Sequence, residues 1–131
     1  MGFERIMVLP MQVETIDEGG RVMRLRFLGK GGSDKTGCPS LYATDSGSYL
    51  VQGWQTGRPD TIEIPHLLTG FAEAGTYIGA MMTDTGRGTF RLVGEPVTDG
   101  ETLGQLTLEG NEAAILVPKA ERTYYGGVPI E

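Results

Sequence analysis

The chain has one cysteine, Cys38, and one histidine, His66. A thiol beside an imidazole can act as a thiolate nucleophile, with a carboxylate to orient the ring. A small enzyme using Cys38, His66 and a carboxylate can therefore be drawn. No spacing places the thiol by the imidazole. The plainer reading is a small buried or loop thiol and a histidine near a helix start. Metal sites built on Cys and His need three or four ligands, and the chain has two such residues. The carboxylates Asp45, Asp84 and Glu63 could hold a hard cation, but their spacing matches no calcium loop. No catalytic residue, metal or cofactor is assigned.

Gly29-Lys30-Gly31-Gly32-Ser33-Asp34-Lys35-Thr36 follows a strand and ends in Lys-Thr, as phosphate loops do. A phosphate loop needs glycine where Asp34 stands, so that backbone amides can wrap the anion, and then a helix. Asp34 repels phosphate, and Gly37 and Pro39 break the helix that should follow. A surface loop is the better reading.

Composition narrows the partners. The net charge is −6 and the pI near 4.8, which argues against direct nucleic-acid or membrane binding. Arg21, Arg24, Arg26, Lys30 and Lys35 cluster, and read as a solvated strand face. A single cysteine forms no internal disulfide. No leader pattern opens the sequence, and no apolar run reaches the ~20 residues of a membrane helix, so a cytoplasmic protein is expected.

The elements that would carry any site are mostly strands. Glycine is abundant, 21 of 131 residues, which favours short strands and tight turns over helices. Phe3–Ile16 reads as a strand that Pro10 confines to an edge or bulge, and Arg21–Leu28 alternates as its hairpin partner. Leu41–Thr44, Tyr49–Gln55 and Thr61–Ile64 follow, with a turn at Asp45–Ser48. Pro65 opens a short helix over His66–Ala74 that Gly75 stops. Thr76–Thr83, Thr89–Gly94 and Ala113–Val117 are further strands. Thr98–Leu108 fits either a helix capped by Asp99 or a strand, and Arg122–Tyr125 a last edge strand. The expectation is a single mainly antiparallel β domain over 1–131, a small barrel or sandwich with one short helix.

An internal echo runs through it. Thr44-Asp45-Ser46-Gly47 and Thr83-Asp84-Thr85-Gly86 each precede an aromatic-led strand ending in glycine, then an apolar strand ending in Pro65 or Pro118. The second copy carries an insertion near Val97–Glu109. Two related β units, 40–68 and 80–119, would account for this; repeated turn chemistry is the simpler alternative.

The run Gly37-Cys38-Pro39-Ser40-Leu41-Tyr42-Ala43-Thr44-Asp45-Ser46-Gly47-Ser48-Tyr49-Leu50-Val51-Gln52-Gly53-Trp54, led in by Leu25–Gly29, resembles a family of small uncharacterised actinobacterial proteins. The resemblance spans about residues 23–68 and transfers no catalytic residue. It implies an accessory of transcriptional regulators. Tyr49, Gln52 and Trp54 are the expected contact residues, with Tyr124 and Tyr125 as an oligomer contact or edge strand; core packing is the alternative for Tyr49 and Trp54. The favoured function is a non-catalytic binding or regulatory protein acting through a protein partner. A Cys38/His66 enzyme and a self-assembling β protein, pairing through its edges into a homo-oligomer, are the alternatives.

Overall fold

A computed structural model describes residues 23–31 and 38–122. The expected strand at Phe3–Ile16 and the pair Tyr124–Tyr125 lie outside the described residues.

Among the described residues the chain runs β1 (Leu25–Lys30), β2 (Ser40–Thr44), β3 (Ser48–Gln55), β4 (Thr61–Pro65), a 3-10 helix (His66–Phe71), β5 (Thr76–Ile78), β6 (Met82–Asp84), β7 (Thr89–Val93), β8 (Glu95–Pro96), α1 (Gly100–Leu103) and β9 (Glu112–Glu121). All pairings are antiparallel. The order is β1-β2-β3-β4-β7-β6, with β9 pairing β3, β5 and β8. The protein is thus mainly β, as its glycine-punctuated alternation implies. The sheet curls without closing around Leu41, Tyr49, Val51, Ile62, Ile64, Leu68, Leu92, Ile115 and Val117.

Several elements differ from the sequence reading, each for a local reason. The stretch Thr76–Thr83 is not one strand. It breaks between β5, which pairs β9, and β6, which pairs β7. Gly79 permits the break: its amide donates to the Pro118 carbonyl at 2.8 Å, and a Cβ there would sit 3.2 Å from the Ala120 side chain. The helix after Pro65 is a 3-10 helix that ends at Phe71, with Ala72 already extended (φ −59°, ψ 149°). Gly29 and Gly31 are not in an open loop. Both are buried, Gly29 beneath the Phe71 ring and Gly31 beneath Pro65 and Leu67, so a side chain at either position would have to push those side chains aside. The ambiguous Thr98–Leu108 stretch holds α1, where the Asp99 carboxylate accepts from the Thr102 amide at 2.9 Å.

The ladders pair strands in two matching registers, a first unit of β2, β3 and β4 and a second of β6, β7 and β9. β3 meets β9 as Ser48–Pro118, Tyr49–Val117, Leu50–Leu116 and Val51–Ile115. β7 meets β4 as Thr89–Pro65, Phe90–Ile64, Arg91–Glu63 and Leu92–Ile62. β2 lies on β3 in the register in which β6 lies on β7, so Leu41, Tyr42 and Ala43 correspond to Met82, Thr83 and Asp84. Each unit lends its last strand to the other unit's hairpin. The turns match as well. Thr44 Oγ1 accepts from the Ser46 amide at 3.3 Å and donates to the Ser48 carbonyl at 3.2 Å. Thr85 Oγ1 accepts from the Arg87 amide at 3.2 Å and donates to the Thr89 carbonyl at 3.1 Å. Gly47 and Gly88 follow with φ of 84° and 88°. The counterpart of Thr44 is therefore Thr85. Thr83, which the written echo aligns with it, matches Tyr42.

Candidate interaction surface

Central position decides where the residues singled out in β3 go. Tyr49–Gly53 is buried on both faces, one by the core and the other by the crossover between β8 and β9. That crossover is pinned to the first unit: Gln105 Nε2 donates to the Met23 carbonyl at 2.7 Å, and its Oε1 accepts from the Leu25 amide at 3.2 Å. Thr102, in α1, is buried.

Tyr49 and Gln52 are consequently not surface contacts, being 0% and 1% exposed. The Tyr49 hydroxyl accepts from the Glu73 amide at 2.7 Å and donates to Thr76 Oγ1, whose own proton goes to the Glu73 carbonyl at 2.7 Å. Lys119 Nζ stands 5.1 Å from the Tyr49 ring centre and 2.5 Å from Glu73, which Arg26 also reaches. The Lys119 ammonium and then the Arg26 guanidinium hold the Glu73 carboxyl below its usual pKa. Gln52 Nε2 donates to the Thr107 carbonyl at 2.7 Å and to Glu112 Oε1 at 3.0 Å. Glu112 Oε1 also accepts from the Glu109 amide at 3.0 Å, which fastens the crossover. Trp54 is half-buried.

His66 is engaged by a carboxylate. Its Nε2 lies 3.2 Å from Asp84 Oδ1 and 3.1 Å from the Thr89 carbonyl, two acceptors, so this nitrogen carries the proton. The ring rests on Phe90 at 4.2 Å. Cys38 is not among these partners and is 7% exposed. The Gly86 amide first, and His66 after it, hold the Asp84 carboxyl below its usual pKa. Asp45 is exposed, at the first hairpin turn. Among the described residues no three His, Cys, Asp or Glu side chains gather as a metal site, and no helix is long and apolar enough to cross a membrane.

A different surface stands open. On the first unit, Leu50 and Gln52 are buried, and Gln52 is tied to the crossover through the Thr107 carbonyl. Their counterparts Arg91 and Val93, on β7, are exposed. Glu63 faces Arg91 across the ladder. Its Oε2 accepts from Thr89 Oγ1 at 2.6 Å and from Arg87 at 2.9 Å, while Arg91 reaches Oε1 at 3.4 Å. At the far end Val93 donates its amide to the Met81 carbonyl at 3.3 Å. Met81 is 76% exposed and Val93 43%, an apolar pair bordered by charges. Leu67 and Phe71 of the 3-10 helix and Tyr77 of β5 are also exposed. The sequence held one signal for this face: once the units are aligned on Thr44 and Thr85, apolar and neutral Leu50 and Gln52 fall opposite Arg91 and Val93.

A shallow cleft of about 340 Å³ separates the Gln55–Thr61 turn from β8, but its cation, Arg58, is already paired with Asp60 at 3.3 Å. In comparison with protein families, curated proteins and solved structures, the chain matches none.

Proposed function

We propose that this chain is a non-catalytic binding or regulatory accessory protein that works through protein–protein contacts, with the outer face of β4, β7 and β6 as its contact surface. One observation carries the reading: Met81 and Val93 stand exposed beside each other on a face whose counterpart in the first unit is covered. Exposed apolar side chains with the charged pair Glu63 and Arg91 further along the same face have the make-up of an interface core with polar groups to one side. The resemblance to small actinobacterial proteins supports a transcriptional regulator as the partner, and the charge of −6 supports contact with protein in preference to nucleic acid.

A photo-crosslinking residue at position 81 tests this in an actinobacterial lysate. A single protein adduct is expected from position 81, none from position 110, and loss of the adduct when Val93→Glu is added with the melting temperature unchanged. Equal labelling from both positions would end the reading.

A further inference from the structure

The matching units differ at one edge. On the first unit the side of β2 away from β3 is occupied by β1, with Arg26 opposite Ala43 and Phe27 opposite Tyr42. The counterpart of β2 is β6, and among the described residues its side away from β7 carries no strand. The backbone there is oriented for one. The Met81 carbonyl accepts from Val93 and the Thr85 amide donates to Thr89, both toward β7. Backbone groups alternate along an antiparallel strand, so the amides and carbonyls of Met82 and Asp84 point away from β7. Unpaired edge groups of this kind are a template for another strand.

We propose that this edge of β6 is a strand-addition site for an extended segment of a partner protein, with a basic residue opposite Asp84 and an apolar residue next in sequence opposite Thr83. The proposal rests on the protein-binding reading above and names the partner's chemistry. The residue types follow from the matching registers. Arg26 lies opposite Ala43, whose counterpart Asp84 is an exposed carboxylate at 58% side-chain exposure; its second oxygen makes no contact among the described residues. Phe27 lies opposite Tyr42, whose counterpart is Thr83, on the face that also carries Met81 and Val93. Main-chain hydrogen bonds supply affinity in such complexes and alternate side chains supply selectivity. A second copy pairing through this same edge fits less well: its β6, Met82–Asp84, brings no basic residue opposite Asp84.

The test uses the full chain and a synthetic probe, the blocked peptide Arg-Leu-Arg-Phe-Leu, which repeats Arg24–Leu28. Backbone amide exchange and chemical shifts are followed by NMR. The expected result is slowed exchange at Met82 and Asp84 on peptide addition, with Thr83 unchanged. Binding should weaken at least tenfold with Met82→Pro, which removes one outward donor and leaves the ladder to β7 intact. If that variant does not fold, a charge exchange decides. Replacing the peptide's second arginine by glutamate should abolish binding to the wild type and restore it on Asp84→Lys. Absence of peptide effects at Met82 and Asp84 up to millimolar concentration would overturn the proposal. So would amides at both positions already slow in the chain alone, since the edge would then be filled from within. A position-81 adduct that persists in Met82→Pro would sink strand addition and leave the binding reading standing; no adduct from position 81 in the wild type would sink both.

Discussion

Glu63 ties the open face together at the level of single side chains. The Thr89 hydroxyl first, then the Arg87 and Arg91 guanidinium groups, favour its ionised form, while partial burial opposes them. The net effect is a carboxyl below its ordinary pKa of 4.5. A folded-state pKa lower than the unfolded one means that the folded state binds its proton less readily. The stabilisation is therefore complete above the unfolded value, and drains away as pH falls through the folded one. Glu63→Gln should lower the urea midpoint at pH 7, and the gap to the wild type should narrow progressively as pH falls below 4.5, when both proteins are compared across the range. A constant difference at all pH values would assign the loss to packing. Glu63 and Arg91 were visible in the sequence as the one charged residue in each of the stretches Thr61–Ile64 and Thr89–Gly94. Their partners were not, because the ladder between β4 and β7 joins positions far apart in the chain.

At the level of elements, the crossover between β8 and β9 matters most, since it seals one unit's outer face and leaves the other bare. Its only helix, α1, is four residues long, too short to hold itself together, and depends on its cap and on burial of Thr102. Asp99→Ala should cost about 1 kcal/mol, as loss of a capping oxygen does, and should speed exchange of the Thr102 amide before the strands respond. Urea unfolding and amide exchange on one sample would check this. The cap was legible from Asp99 and the three residues after it. The covering of Gln52 was not: alternation placed Gln52 and Trp54 on the face away from Tyr49, but only the path of the crossover determines whether that face meets solvent. The interruption of β1 is similar. A register shift between Phe27 and Gly29 moves Gly29 under Phe71, and no pattern in Leu25–Lys30 foretells it.

Among the described residues, the centre of the fold is two hairpins that exchange their closing strands. The exchange demands a close crossing at two equivalent glycines. A Cβ on Gly53 would stand 2.7 Å from the Glu63 carbonyl, and one on Gly94 would stand 2.6 Å from the Leu116 carbonyl. Backbone cannot give way there as a flexible side chain would, so Gly53→Ala and Gly94→Ala should each destabilise by roughly 1–3 kcal/mol, and by similar amounts. Thermal melts of the two variants would test the equivalence; a loss at one position alone would deny it. What the amino acids alone determined was short in range: period-two alternation, positive-φ turns at Gly47 and Gly86, the Asp99 cap as one of two readings of its stretch, and a mainly antiparallel β fold. Tertiary structure decided which strand lies beside which, that Tyr49 and Gln52 are interior, that His66 meets Asp84, and that Met81 and Val93 remain outside. The reason is physical. Turn and strand preferences act over a few neighbouring residues, whereas pairing and burial depend on contacts between segments that only the folded chain brings together.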